Sequence, residues 1–243
     1  MGYSTQFYGK IMAEPAFSKE EKEFLDKFCQ TRRCKRKDEI LEGSFYVCKN
    51  PAKENWGQGC QNIMANNDPP SEQPGLWCQW VISDDLEGIE WDGGEKFYDA
   101  AQWMDYLIKF FFDKRAIAPK LDGKLAFLKK HKLNGEILCV GEETGDIWKL
   151  IVKNNKVMIA QGKQVSLIKE EDFEDEDTYY DALYDQHSNL NNINDPSIQW
   201  SKTKEKINIA ILKETSVLVD SLKTKNKIEK NIKVGNKKDY LKI

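Results

Sequence analysis

The sequence has few residues of the types that most often carry catalysis. It contains only two histidines, His131 and His187, and four of its 37 basic residues are arginine. It also lacks a Walker-type phosphate loop, a His-x-x-x-His metal pair and a Gly-x-Gly-x-x-Gly segment. With two histidines, the chain offers few possible Ser–His or Cys–His nucleophile pairs. We expect a binding protein without a cofactor rather than an enzyme.

Long apolar runs and a strong charge of one sign are missing as well. No apolar run approaches the roughly 20 residues that cross a bilayer, and the start of the chain lacks the pattern of a signal peptide. The formal net charge is -3, so no overall positive field attracts nucleic acid or an anionic membrane. We therefore expect a soluble, cytoplasmic protein without a membrane partner, which holds any ligand through local groups.

The order of apolar patterns predicts an α+β fold. At 243 residues with 40% hydrophobic content, the chain is long enough to bury a sizeable core. The predicted elements are a strand at 3–12, a helix begun by a capping box of Ser18 and Glu21, a strand at 76–82, a helix at about 95–114 and a meander at 136–160. We expect a curved mixed or antiparallel sheet packed against one long helix and smaller helices.

Composition divides the chain into three predicted parts. Residues 1–168 form the α+β domain. Residues 169–200 begin with a dense acidic run and continue polar and Asn-rich, which predicts a linker. Residues 201–243 carry 12 Lys against 5 acids and are predicted to be an extension that a protein partner can bind.

The six cysteines are predicted to be reduced, because disulfides belong to exported proteins and no export signal is visible. A zinc site made of Cys29, Cys34, Cys48 and Cys60 is the alternative. Their spacing lacks the closely paired cysteines of structural zinc sites. We therefore favour buried thiols and no metal.

Tryptophan is concentrated in one segment. Four of the seven, at positions 77, 80, 91 and 103, lie between Gln73 and Phe112. Trp is found where a large flat surface is buried, either in a core or against a ligand. Trp91 precedes Asp92 and two glycines in a predicted turn, and for this residue both core packing and stacking on a flat ring remain open.

The only dense basic cluster follows the first predicted helix. It contains Arg32, Arg33, Lys35 and Arg36. Cations at the C-terminal end of a helix are stabilised by the helix dipole, so a charged cap is one interpretation. Contact with the phosphates of a ligand is the other.

Several segments resemble a family of small phage and bacterial proteins of unassigned function. They are Met1–Thr5, Gln30–Arg33, Gln73–Trp80 and Glu90–Tyr98, and the resemblance covers about residues 1–160. It implies no activity. The phage association implies one alternative function, a counter-defence protein that sequesters or degrades a nucleotide signal.

The order of elements around the tryptophans resembles the start of the cap-binding translation initiation factor fold. The Trp77-x-x-Trp80 strand, a polar turn, Trp91 and an aromatic-rich helix follow one another. The resemblance implies that Trp91 stacks on methylated guanine. Where that family places a second stacking Trp followed by Glu, this chain has Glu142 or Trp148.

Together these observations predict a viral or phage-like, non-catalytic protein that binds a nucleotide or an RNA 5′ end. Stacking of a nucleobase on an aromatic ring contributes about 1–3 kcal/mol per ring. A carboxylate can accept hydrogen bonds from the N–H edge of the nucleobase, and Lys or Arg side chains can contact the phosphates. The candidate ligand contacts are Trp91, Asp92, Trp148, Glu142, Arg32, Arg33, Lys35 and Arg36. One alternative is a protein-protein interaction module. Another is hydrolysis with a divalent ion at the acidic turns that contain Asp84, Asp85, Glu142, Glu143 and Asp146.

Overall fold

A computed structural model describes residues 2–37, 43–165 and 168–207. Within these ranges the chain has the predicted α+β fold. None of the helices described there has the length and apolar character that crossing a membrane requires.

Ten strands and four α-helices make up the described part of the chain. The strands are β1 (Thr5–Glu14), β2 (Lys35–Arg36), β3 (Ile63–Ala65), β4 (Trp80–Ile82), β5 (Gly88–Trp91), β6 (Lys132–Gly141), β7 (Ile147–Lys153), β8 (Lys156–Gln164), β9 (Ile198–Trp200) and β10 (Glu205–Lys206). The helices are α1 (Lys19–Cys29), α2 (Ala100–Leu107), α3 (Ala118–Leu121) and α4 (Glu176–Ser188). A π-helical turn, Ile108–Phe112, continues α2.

The main sheet is antiparallel throughout, which selects one of the two predicted arrangements. Its strand order is β10-β8-β7-β6-β1-β5-β4, and β9 also pairs with β8. The predicted meander forms β6, β7 and β8. β1 pairs with β6 along its whole length, from Thr5 opposite Gly141 to Glu14 opposite Lys132.

Helices α1 and α2 cover one face of this sheet. The predicted capping box starts α1, because the Ser18 side chain accepts a hydrogen bond from the Glu21 N–H and the Glu21 side chain bonds the Ser18 N–H. The apolar face of α1 places Phe24, Leu25 and Phe28 in the core. Aromatic rings from α2 and its π-helical turn fill the same layer, which makes it the main hydrophobic core.

The second helix and the strand before the tryptophans are shorter than predicted. α2 begins at Ala100 rather than near 95, because Lys96 and Asp99 hold left-handed backbone angles that a helix cannot include. Only Trp80–Ile82 of the predicted strand at 76–82 joins the sheet. Residues 76–79 and 95–99, which these two elements lose, and the turn at 92–94 form irregular segments at one end of the β4–β5 pair.

The predicted linker at 169–200 is instead an ordered cover for the other face of the sheet. Its acidic residues are tolerated because Glu176 and Asp177 lie in the first turn of α4, where the helix dipole favours negative charge, and Asp175 accepts a hydrogen bond from the Thr178 N–H. Leu190 and Ile198 are buried there. They pack with three residues of the sheet, Leu138, Val140 and Ile147. Composition missed this because a few well-placed apolar residues suffice to cover a sheet.

The predicted Lys-rich extension falls mostly outside the described residues. Residues 201–207 are described, and within them β10 pairs with β8. Residues 208–243 lie outside the description. The prediction that a protein partner binds this extension therefore stays a prediction.

Candidate ligand-binding groove

A groove of about 940 Å³ opens where the chain enters β4 and leaves β5. Its wall combines the end of α1, the loop that contains Trp56, and the two irregular segments beside the β4–β5 pair. The lining includes the aromatic residues Trp56, Trp77 and Tyr98, the acids Asp92, Glu95 and Asp99, and Lys96. Only Asp92 among these was a predicted ligand contact.

Three aromatic rings of the groove are open to solvent to different degrees. Trp56 is 57% exposed and Tyr98 is 53% exposed. Trp77 is half-buried, and the guanidinium carbon of Arg32 lies 5.7 Å from the centre of its ring. Because exposed aromatic surface is costly in water, the wall offers flat apolar surface that a ligand would cover.

The backbone of the groove is held in unfavourable conformations. Trp56, Lys96 and Asp99 have φ angles of 59°, 59° and 55°, in the left-handed region that side chains rarely adopt. Each such residue costs on the order of 1–3 kcal/mol, and residues of this kind cluster at ligand sites. Gly93, with φ 83°, meets the same demand without a side chain. The conformation of the groove therefore lowers the stability of the folded protein.

The groove is acidic. Of the charged residues in its described lining, three are acids and one is Lys96. The surrounding protein raises the pKa of the Asp92 carboxyl by desolvation, although a 2.8 Å hydrogen bond from the Gly94 N–H opposes that rise. A cation beside this carboxylate would compensate for the lost water. The electrostatics therefore favour a positively charged ligand.

Trp91 lies behind the groove rather than in its wall. It is half-buried and packs against the core, with its ring centre 5.5 Å from that of Phe7. Its Nε1 donates to the Gly94 carbonyl oxygen at 3.1 Å and to Gln79 Oε1 at 3.3 Å. Core packing is thus the alternative that the structure shows for Trp91, and its indole fixes two groove residues from behind.

Trp148 and Glu142 do not complete a stacking site with Trp91. The half-buried ring of Trp148 packs edge-on against Phe7 at 6.1 Å. The exposed carboxylate of Glu142 accepts a hydrogen bond from the Ser4 N–H at 2.9 Å. Neither residue lines the groove. Trp91 and Trp148 both pack edge-on against the same core ring, Phe7.

The basic cluster is divided between the interior and the surface. Arg33 and Arg36 are buried, so they are not free to bind phosphate. The Arg33 guanidinium donates to the carbonyl oxygens of Tyr46 and Ser44 at 2.7 and 2.9 Å. Arg36 donates to carbonyl oxygens of its own neighbourhood, including Arg32 O at 2.7 Å. The sequence pattern was misleading because backbone carbonyl oxygens, such as those of Ser44 and Tyr46, solvate these charges.

The other two members of the basic cluster keep surface access. Arg32 is half-buried beside Trp77 and donates to Asn66 O and Asn67 Oδ1 at 2.9 and 3.1 Å. Lys35 is half-buried on β2. Of the four predicted phosphate contacts, Arg32 has its side chain against a residue of the described groove lining, Trp77.

A disulfide replaces the predicted reduced thiols at two positions. Cys48 and Cys60 are bonded to each other, whereas Cys29 and Cys34 are free and buried. Two of the four thiols of the alternative zinc site are therefore bonded to each other. The disulfide closes the loop that carries Trp56, a pairing that the linear spacing could not reveal.

The acidic turns are occupied by structural partners. Asp85 accepts a hydrogen bond from Lys10 Nζ at 2.6 Å, and Asp84 lies 3.4 Å from Lys22 Nζ. In the other turn, Asp146 accepts a hydrogen bond from the Tyr3 hydroxyl at 2.5 Å. Among the described residues, neither turn brings three possible metal ligands within reach of one another.

Sequence reasoning missed Trp56, Tyr98 and the acids that follow Gly94. One signal was present: Trp56 is the lone large apolar residue in a stretch of Asn, Gly and Gln, where no core pattern explains it. A Trp in such a loop is a candidate for ligand contact.

Comparison of the chain with protein-family models, curated proteins and solved structures finds no match. The functional argument therefore rests on the groove itself.

Proposed function

We propose that this chain is a non-catalytic binding protein whose groove holds a flat, positively charged ring, such as methylated guanine in a nucleotide or at an RNA 5′ end. The observation that carries the proposal is the presence of three solvent-open aromatic residues and three carboxylates in one groove. Aromatic faces attract cations, and acids add to that attraction. The combination suits a ring that is both flat and positively charged.

Each part of such a ligand has a candidate contact. Trp56 and Trp77 offer faces for stacking, worth about 1–3 kcal/mol per base. Asp92 can accept a hydrogen bond from the N–H edge of a base. Arg32, which lies over Trp77, and Lys96 are the basic groups placed to meet phosphates. These residues take the roles that the sequence assigned to Trp91, Trp148 and Arg33.

The same groove also supports two other readings of the sequence. A viral or phage-like counter-defence protein would use it to sequester a nucleotide signal without degrading it. An interaction module would use it to hold a Lys or Arg side chain of a partner, which the surplus of acids favours. The ligand that binds most tightly distinguishes these functions.

The test is calorimetric titration of the full chain with N7-methylated GTP, unmethylated GTP, a cyclic dinucleotide and a Lys-rich peptide. We expect the methylated nucleotide to bind most tightly. Trp77→Ala and Trp56→Ala should each weaken its affinity about tenfold or more, because each removes one stacking face. Asp92→Asn should reduce the preference for the methylated over the unmethylated base.

Trp200 provides a matched control, because it is half-buried on β9 and packs with the cluster on the opposite face of the sheet. Trp200→Ala should leave the affinity unchanged. Circular dichroism should show that each variant remains folded. Equal affinity of the Trp77, Trp56 and Trp200 variants for the nucleotide would refute the proposed site. Tighter binding of the peptide would favour the interaction module instead.

A further inference from the structure

The loop that carries Trp56 brings together two sulfur atoms and one carboxylate. The Sγ atoms of Cys48 and Cys60 and a carboxylate oxygen of Glu54 all lie within 4.8 Å of one another. Five residues separate Glu54 from each cysteine, so the loop folds its midpoint back onto its two ends. Both cysteines are buried, whereas Glu54 is half-buried. The cluster therefore has an enclosed side and an open side.

This arrangement does not depend on the disulfide alone. The Arg32 N–H donates to the Trp56 carbonyl oxygen at 3.2 Å, and the Thr31 hydroxyl accepts a hydrogen bond from the Cys48 N–H at 3.0 Å. Arg36 Nη2 donates to the Gly57 carbonyl oxygen at 3.2 Å. These bonds tie the loop to the segment after α1 at several points. We therefore expect Cys48, Glu54 and Cys60 to stay close together after the disulfide is reduced.

We propose that the reduced chain binds one thiophilic divalent cation, such as Zn²⁺, through Cys48, Cys60 and Glu54. Two thiolates and one carboxylate are ligands that zinc prefers, and a tetrahedral ion bound by three side chains keeps a fourth position for water. With Zn–S bonds of about 2.3 Å, two sulfurs on a tetrahedral ion lie about 3.8 Å apart. The Cα atoms of the two cysteines are 6.0 Å apart, close enough for both sulfurs to reach one ion.

Conversion of the disulfide form into the metal-bound form requires one external reductant. A dithiol or phosphine reductant transfers two electrons to the Cys48–Cys60 bond and yields two thiols. Zn²⁺ then displaces one proton from each thiol and accepts the carboxylate of Glu54, so the bound cluster carries a net charge of about -1. Either the disulfide or the metal closes the loop. Trp56 would therefore keep its place in the groove in reducing surroundings.

The experiment uses the full chain, reduced by an excess of phosphine and titrated with Co²⁺, which reports thiolate ligands by a near-ultraviolet charge-transfer absorption. We expect this absorption to saturate at one equivalent and to disappear when Zn²⁺ is added. Cys48→Ser and Cys60→Ser should each abolish it. Glu54→Gln should weaken Co²⁺ affinity by about tenfold or more while circular dichroism stays unchanged.

Cys34→Ser is the matched control, because Cys34 is a buried free cysteine in the neighbouring segment. It should bind Co²⁺ as the unaltered chain does. The proposal is overturned if the fully reduced chain gives no charge-transfer absorption, or if the absorption survives in both the Cys48 and the Cys60 variants. It is also overturned if native thiol counting shows that the disulfide persists in excess reductant. Unchanged Co²⁺ affinity in Glu54→Gln would remove Glu54 from the ligand set.

Discussion

Glu21 and His131 meet inside the protein, with His131 Nε2 3.0 Å from Glu21 Oε1 and both side chains fully buried. The other ring nitrogen, Nδ1, contacts the Pro15 carbonyl oxygen at 2.7 Å. The same Glu21 oxygen accepts a hydrogen bond from the Lys129 N–H at 2.6 Å. The carboxylate that caps α1 therefore also links the residue that follows β1, Pro15, through His131 to the residues that precede β6.

The Glu21–His131 pair should make stability fall in acid. Burial alone would raise the pKa of Glu21, but hydrogen bonds from His131, Lys129 and Ser18 lower it from 4.5 to about 2. Because the folded pKa lies below the unfolded one, the stabilisation is present above about pH 4.5 and is lost as pH falls towards 2. It amounts to about 3 kcal/mol. Urea unfolding at a series of pH values measures it.

Glu21→Gln should destabilise the protein at pH 7 by about 3–5 kcal/mol, the usual effect of breaking a buried pair, and should flatten the acid dependence. Glu23→Gln is the control on the same helix, because Glu23 pairs with Lys27 at the surface. It should have little effect. An acid dependence that persists unchanged in Glu21→Gln would contradict this assignment.

The fully buried Arg33 and the half-buried Arg32 should respond differently to the same substitution. Arg33→Lys should cost about 3 kcal/mol or more, because lysine cannot reach several carbonyl oxygens at once and leaves them unpaired. Arg32→Lys should change stability little.

If Arg32 contacts phosphate, Arg32→Glu should flatten the salt dependence of nucleotide affinity. Chemical unfolding and titration at several salt concentrations test both, and equal stability of the two lysine variants would contradict the structure.

The elements that the sequence predicts well are those whose signals are local. The capping box at Ser18 and the meander of β6 to β8 depend on residues that are close in sequence, and the structure confirms both. Trp80 and Trp103 are fully buried, as a core function of tryptophan implies. Local patterns thus indicate the sheet and its first helix.

The groove could not be predicted because residues far apart in sequence build it. Trp56 reaches Trp77 and Tyr98 only through the fold of the loop between Cys48 and Cys60, and the spacing of the cysteines does not reveal the bond that closes this loop. Arg33 was misplaced for the same reason, since its partners are carbonyl oxygens that no side-chain pattern reveals. Asp92, which was selected because it lies beside Trp91 and two glycines in a predicted turn, does line the groove.

The cover formed by residues 176–200 should contribute to the stability of the whole fold. Leu190→Ala should lower the free energy of unfolding by about 2–5 kcal/mol, because Leu190 is buried against the sheet. Tyr184→Ala on α4 is the control, since Tyr184 is 57% exposed, and should change it by less than about 0.5 kcal/mol. A linker would give no effect in either variant. Thermal and urea unfolding distinguish the two cases.

The final prediction separates a binder from an enzyme. Cyclic and linear nucleotides, NAD and capped RNA should remain intact after incubation with the protein and Mg²⁺ or Mn²⁺, as measured by mass spectrometry. The reason is that the acids of the candidate catalytic turn serve the fold. Burial, and then the hydrogen bond to Asp146, raise the pKa of Tyr3 to about 12, while Glu142 binds the Ser4 N–H.

Substitutions in that turn should therefore change stability rather than chemistry. Asp146→Asn should weaken the bond to Tyr3 and lower the free energy of unfolding by about 1 kcal/mol, because this contact is only part-buried. Glu142→Gln, at an exposed position, should have a smaller effect. Turnover that disappears on chelation of the metal, and again in either variant, would contradict the binding function and make this acidic turn the active site.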